Sequence, residues 1–303
     1  YLGAAHELAS RFLRRGDLVV YTDGPQTGTQ VYGAERDGYF LDGRLVVTVN
    51  QYSASASEIT AGAVQDNDRG LVVGRRTFGK GLVQRPFPFP DGSMIRLTVS
   101  KYYTPSGRCI QKPYTPGDED EYRADILHRY QAGEFSSADS IHFPDSLRFE
   151  TLRNHRPVYA AGGIMPDLFV PIDTTAYSDY YRDLVAKGII NRYCITYVDD
   201  NRKQLKKDYP TEKSFLDNFR VRPEMMRSIV EMGVADSVKY NDEEFNRSRA
   251  MMETIVKGII GRDLFETSTY FKVVNPVLSP TYRQALDLIN DRERYTSLLR
   301  GAK

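Results

Sequence analysis

The chain has 303 residues, of which 41% are hydrophobic and 12% aromatic, so it is long enough for two domains and able to bury a core. Its 41 Lys and Arg residues nearly cancel its 40 Asp and Glu residues, and the net charge of +1 gives no reason to expect nucleic acid or an anionic membrane as a partner. No apolar run approaches the roughly 20 residues of a membrane-spanning helix. The composition favours a globular protein without those partners.

The cysteines and histidines indicate neither a metal site nor a disulfide framework. Cys109 and Cys194 are far apart and match no paired metal-ligand spacing, so we interpret them as free thiols, with a disulfide between them as the alternative. The four histidines are scattered, without an H-E-x-x-H motif or another close cluster. We therefore expect no metal and no cofactor.

The first part of the chain alternates between helical and extended patterns. The run 44–50, "RLVVTVN", is rich in β-branched residues and is typical of a strand buried on both faces. Helix alternating with strand predicts an α/β core. The predicted elements are a helix over 2–13, strands over 17–24, 29–40 and 44–50, a helix over 57–67, and a strand over 70–74.

Residues 82–103 contain two extended runs that flank Asp91-Gly92, which predicts a β-hairpin. Residues 116–156 are polar and charged without a sustained period, so we interpret them as a surface excursion, with helix only around 121–131. The run 162–173 again resembles a strand.

Helical spacing dominates the remainder of the chain, residues 176–303. We therefore predict an α/β core over 1–173, built of a mixed sheet with helices and a β-hairpin, followed by a mostly helical C-terminal domain over 174–303.

The stretch "GRRTFGKG", residues 74–81, nearly matches the phosphate-binding pattern G-x-x-x-x-G-K-[ST], but Gly81 replaces the final hydroxyl. A phosphate-binding loop must also open a helix, whose first amides hold the phosphates. Lys80 is instead followed by "GLVQRPFPFP", whose prolines and alternation predict a strand. The sequence therefore argues against an ATP site.

Two interpretations of Lys80 remain: a solvated loop lysine, or a lysine desolvated between glycines and apolar neighbours so that it is neutral and acts as a general base. The stretch "SASAS", residues 53–57, would supply the nucleophile, because a serine on a sharp turn into a helix projects its Oγ beside free backbone N–H groups. The alternative is that Ser53, Ser55 and Ser57 only cap the helix, with Glu58 in its first turn.

Three stretches together resemble the C-terminal processing peptidases, or tail-specific proteases: "SASASEITAGAVQDNDRGLVVGRRTFGKGLVQ", "PDGSMIRLTVSKYYTPSGRCIQ" and "GGIMPDLFV". The resemblance covers residues 1 to about 115 and 157–173. It implies a bacterial serine endopeptidase with a serine-lysine dyad, acting in the periplasm or elsewhere outside the cytoplasm. By position it implies Ser55 as nucleophile, Lys80 as base and Gln84 as the residue that orients the lysine.

The local sequence agrees with these roles. If 80–84 is a strand, the even spacing places Lys80 and Gln84 on one face. Ser57 is well placed as the N-cap of the following helix, and Ser53 and Ser57 are interpreted as structural. The backbone N–H of Ala56, the residue after the nucleophile, is the expected oxyanion donor.

Family members usually carry an upstream PDZ domain and a D-L-R-x-N-x-G-G-like turn that supplies a second oxyanion amide. The sequence opens at Tyr1 without Met or a signal pattern and shows neither feature, so we expect a fragment of a longer enzyme. The expected substrates are polypeptides with extended C-termini, added as a strand near the hairpin. The alternatives are a non-catalytic peptide-binding scaffold and an assembly module, and homo-oligomerisation is left open.

Overall fold

A computed structural model describes residues 2–115 and 119–301. The polypeptide divides into two units, Tyr1–Ile172 with Gln284–Lys303, and Asp173–Arg283. The first unit is an α/β assembly and the second is helical, which confirms the predicted fold class. The sequence placed 174–303 in one helical domain, whereas the structure returns the last twenty residues, Gln284–Lys303, to the first unit.

The described residues of the first unit form three separate sheets. The strands of the largest are all antiparallel and run in the order β2-β1-β6-β5, the second is parallel in the order β3-β4-β9, and β7 pairs with β8. The strands are β1 (Leu18–Asp23), β2 (Gln30–Gly33), β3 (Val46–Val49), β4 (Leu71–Gly74), β5 (Leu82–Pro88), β6 (Met94–Tyr103), β7 (Arg148–Glu150), β8 (Pro157–Tyr159) and β9 (Leu168–Phe169).

The helices of this unit are α1 (Leu2–Ser10), α2 (Ala56–Asp66) and α3 (Glu119–Gln131), together with part of α10 (Pro280–Asn290) and all of α11 (Arg292–Leu299). Helix α2 follows β3 and is almost entirely buried. It packs closely because Gly62 faces Thr104, where a Cβ would come within 2.8 Å of the threonine methyl group. The helix that carries the candidate nucleophile at its start is therefore firmly embedded in the core.

Two predicted strands differ from the structure in detail. The strand expected over 29–40 is only Gln30–Gly33, because the chain then turns back and the Asp37 carboxylate accepts a hydrogen bond from the Arg15 N–H at 2.8 Å. Strand β3 is not buried on both faces, since it lies at the edge of the parallel sheet and exposes Thr48. The central strand β4 is buried throughout.

The hairpin forms as predicted, with β5 and β6 joined through Asp91-Gly92 and Gly92 at φ 85°. The left-handed backbone there favours glycine. The end of the hairpin around this turn is exposed on both faces.

The last helices cover one face of the parallel sheet. Leu288 and Tyr295 pack against Leu71 and Val73 of β4 in one buried cluster. The Tyr295 hydroxyl also accepts a hydrogen bond from the Leu45 N–H at 3.0 Å and donates one to the Leu45 carbonyl at 2.9 Å, just before β3. These helices therefore complete the core of the first unit.

The second unit has its own apolar core, in which Phe215, Met226, Ile229, Met252 and Ile260 are fully or almost fully buried. Its helices are α4 (Asp179–Ala186), α5 (Ile189–Asp208), α6 (Glu212–Asn218), α7 (Pro223–Ala235), α8 (Asp242–Leu264) and α9 (Thr267–Leu278), followed by the start of α10.

Both cysteines are free thiols. Cys194 lies in the helical core, where burial raises the pKa of its thiol to about 12. Among the described residues, no helix is both long enough and apolar enough to cross a membrane.

Candidate active site

Ser55 lies at a strained turn between β3 and α2. It occupies the N-cap position of α2 with φ 54° and ψ −112°, a positive φ that a residue with a Cβ rarely adopts. Such a conformation costs on the order of 1–3 kcal/mol, and strain of this kind concentrates at functional sites. The Ser55 side chain makes no capping hydrogen bond, so its hydroxyl is not committed to the helix.

The two neighbouring serines have different surroundings. The Ser53 hydroxyl accepts a hydrogen bond from the Asn50 N–H at 3.1 Å, and the Ser53 carbonyl accepts one from the Phe78 N–H at 2.9 Å. Ser57 is exposed and lies inside the first turn of α2. The prediction that Ser57 is the N-cap is wrong, because the helix begins at Ala56 and Ser55 occupies that position.

Lys80 lies in the loop between β4 and β5 and is partly buried. The predicted extended structure after Lys80 is confirmed, because β5 and not a helix follows it. The strand begins only at Leu82, however, and its register shifts between Val83 and Gln84. The extra residue at this shift, Val99, lies in β6 and not in β5. Because Lys80 precedes β5, the condition of the prediction, a strand over 80–84, is not met, and Gln84 is an exposed residue paired with Thr98.

A buried carboxylate joins the serine turn to the lysine loop. Glu58 is fully buried, and its Oε2 accepts hydrogen bonds from the N–H of Ser55 at 2.8 Å and of Lys80 at 2.9 Å. Its Oε1 accepts from the Thr77 hydroxyl at 2.5 Å and the Gly79 N–H at 2.7 Å. The main-chain nitrogens of Ser55 and Lys80 therefore lie within about 6 Å of each other.

Burial raises the pKa of Glu58, and the four hydrogen bonds that it accepts oppose that shift. From the sequence, Glu58 is predicted only to lie in the first turn of the helix. The S-x-x-E spacing of Ser55 and Glu58 was the available signal, because it is typical of a capping box in which the glutamate reaches back to the N-cap N–H.

We expect Glu58→Gln to lower the free energy of unfolding by about 1–3 kcal/mol, because an NH₂ group would then face buried N–H or O–H donors. Urea denaturation of the purified chain measures this change. Glu7→Gln is the matched control: Glu7 is 70% exposed and pairs with Arg11 on the surface, so its loss should cost less than about 0.5 kcal/mol. Equal effects of the two substitutions would contradict the role given to Glu58.

The segment predicted as a surface excursion contacts the lysine loop. Arg129 of α3 is 4% exposed, and its guanidinium donates to the carbonyls of Thr77 at 3.0 Å and Arg76 at 2.8 Å. Glu134 pairs with both Arg129 and Arg76. The predicted helix around 121–131 agrees with α3, but the segment is not simply a solvated surface.

A second lysine near this loop, Lys112, forms an ion pair with Asp125. The Lys112 Nζ lies 2.9 Å from Asp125 Oδ2 and about 4 Å from the ring centroids of Phe78 and Tyr122. Burial lowers the pKa of Lys112, while its ion pair with Asp125 opposes the shift.

Across residues 2–115 and 119–301, no group of three or more His, Cys, Asp or Glu residues is arranged to hold a metal ion.

The sequence model of peptidase family S41 matches residues 1–120. Over these residues the chain is similar to peptidase family S41. A family of unknown function, DUF8443, matches residues 180–266, within the helical unit. The S41 match contains Ser55, Ala56, Lys80 and Gln84, and it ends as α3 begins.

The S41 region has close relatives among named processing proteases. It is 46% identical over 111 residues to the chloroplastic C-terminal processing peptidase of Tetradesmus obliquus. The aligned residues make up 36% of this chain and 23% of that protein. It is 47% identical over 111 residues to the carboxyl-terminal-processing protease of a Picosynechococcus strain, covering 37% and 26%. The chain thus spans about a quarter of the length of these curated relatives.

A solved structure of a photosystem II D1 C-terminal processing protease is 40% identical, with a TM-score of 0.34, and covers 37% of this chain and 28% of that one.

Proposed function

We propose that the S41 region is a serine endopeptidase that cleaves polypeptides at or near their C-termini through a Ser55–Lys80 dyad. One observation carries the proposal: the N–H groups of both residues bind the same oxygen of Glu58, although the residues come from different loops. The strained backbone of Ser55 and its uncommitted hydroxyl support the nucleophile role. The names of the relatives support the choice of substrate.

In this mechanism the Ser55 Oγ attacks the carbonyl carbon of the scissile peptide, and the Lys80 Nζ accepts the hydroxyl proton. The Ala56 N–H opens α2 and has no acceptor within that helix, so it donates to the developing oxyanion. Lys80 then passes the proton to the leaving amine. Water hydrolyses the acyl-enzyme and restores Ser55, so each turnover consumes one water molecule.

Gln84 is proposed to hydrogen-bond Lys80 when substrate is bound. It lies exposed at the start of β5, the edge strand of the antiparallel sheet. An extended polypeptide can pair with such an edge as an added strand. Since Pro86 and Pro88 have no N–H, the pairing would use the first half of the strand, Leu82–Arg85. The proposed site of action is outside the cytoplasm.

Incubation with a disordered polypeptide such as casein tests the function. We expect intact-mass spectrometry to show truncated products, with the first cuts near the C-terminus. The proposed function fails if casein binds to the chain and stays intact, which is the result expected of a non-catalytic scaffold.

A further inference from the structure

Tyr102 of β6 contacts both proposed dyad residues through their main chains. It is 1% exposed, and its hydroxyl lies 2.8 Å from the Lys80 carbonyl oxygen and 3.2 Å from the Ser55 carbonyl oxygen. A phenol has one hydrogen to donate, so the two carbonyls share it. The Tyr102 N–H also donates to the Gly81 carbonyl at 2.9 Å, which anchors β6 beside the lysine loop.

Glu58 and Tyr102 therefore contact the same two residues through different backbone groups. The carboxylate binds the N–H groups of Ser55 and Lys80, and the phenol binds their carbonyls. Neither residue belongs to a helix or a strand, since Ser55 precedes α2 and Lys80 precedes β5. The separation of Ser55 and Lys80 is therefore fixed by side-chain hydrogen bonds and not by the backbone hydrogen bonds of a helix or sheet.

We infer that Tyr102 is a positioning residue for the reaction, whose hydroxyl fixes the distance between the Ser55 and Lys80 backbones. The inference rests on the proposed function. The hydroxyl is directed at main-chain oxygens, so it transfers no proton in the reaction. The effect on rate comes from geometry, because a displacement of about 1 Å between reacting groups costs on the order of 100-fold.

The chemistry of the buried phenol suits this role. Burial raises the pKa of Tyr102 well above its ordinary value, and the Glu58 charge acts in the same direction. The phenol therefore remains protonated, and a hydrogen-bond donor, at neutral pH.

The decisive substitution is Tyr102→Phe, which removes one oxygen atom and keeps the ring. The matched control is Tyr103→Phe on the same strand, where the ring stacks on Tyr21 at 4.8 Å. Adjacent residues of a strand point to opposite faces of the sheet. We expect Tyr102→Phe to lower kcat for a fluorescently labelled casein about 10- to 100-fold with little change in KM. Tyr103→Phe should stay within about twofold of the wild type.

Hydrogen exchange supplies a readout that does not depend on activity. In Tyr102→Phe, exchange should accelerate in the peptides that contain Ser55 and Lys80, and remain unchanged in β4. If Tyr102→Phe only destabilised the fold, exchange would accelerate in β4 as well, and kcat per folded molecule would stay unaltered.

The outcomes separate the two proposals. If the wild type does not cleave casein, the proposed function fails. If the wild type is active and Tyr102→Phe retains its kcat, the positioning role is overturned and the proposed function stands. Unchanged exchange at Ser55 and Lys80 in the phenylalanine variant also overturns the positioning role.

Discussion

Ser55→Ala and Lys80→Arg should each lower casein hydrolysis by about 10⁴-fold or more while the chain remains folded. Alanine removes the oxygen that attacks the peptide. Arginine has a side chain of similar length, but its guanidinium stays protonated and so accepts no proton from serine. Steady-state hydrolysis, with circular dichroism as the test of folding, measures both effects.

The neighbouring serines provide the controls. Ser53→Ala loses only the hydrogen bond from Asn50 and should cost about 1 kcal/mol of stability, with activity largely retained. Ser57→Ala should change little, because Ser57 is exposed. If Ser53→Ala were folded and as inactive as Ser55→Ala, or if Lys80→Arg kept its activity, the proposed dyad would be wrong.

Asp66→Ala should destabilise the chain by about 3–5 kcal/mol, because it leaves a buried arginine without its partner. Asp66 ends α2, and its Oδ1 accepts from Arg108 Nη2 at 2.7 Å, with both side chains fully buried. Asp66 Oδ2 also accepts from the Ser106 hydroxyl at 2.6 Å. Urea denaturation measures the loss as a lower midpoint.

Asp42→Ala is the control for this substitution, because Asp42 is 92% exposed and lies 3.6 Å from Arg14. Its removal should change stability by less than about 0.5 kcal/mol. Removing both buried charges, in an Asp66→Leu, Arg108→Met double variant, should cost less than Asp66→Ala alone. A loss below about 1 kcal/mol for Asp66→Ala would show that the buried pair is dispensable.

Local patterns predicted the elements that carry the candidate site. The hairpin followed from Asp91-Gly92, and α2 followed from helical spacing directly after a β-branched run, because turn chemistry and periodicity act over a few residues. The turn from β3 into α2 was predicted in the same way, although the sequence placed the N-cap at Ser57 and the structure places it at Ser55. The sequence did not show that β5 begins only at Leu82, so the condition for a common face of Lys80 and Gln84, a strand over 80–84, is not met.

Contacts between residues that are far apart in the chain could not be predicted from the sequence. Glu58 meets Lys80 across 22 positions, and Tyr102 meets Ser55 across 47. A fully buried glutamate that binds four donors looks, in the sequence, like any acidic residue in a first helical turn. The contact between α3 and the lysine loop could not be predicted either, because the segment that contains α3 is polar. Arg129 is buried because it is paired with Glu134, and not because its side chain is apolar.

The return of Gln284–Lys303 to the first unit has a consequence for the timing of folding. The Tyr295 hydroxyl binds Leu45 across 250 positions, and Leu288 and Tyr295 cover β4. During synthesis these residues leave the ribosome only after the whole helical unit, at a rate of roughly 5–20 residues per second. The helical unit has a core of its own and can fold first. A nascent chain that stops before residue 284 therefore exposes Leu71 and Val73, and the parallel sheet behind the Ser55 turn is completed only as the last helices emerge.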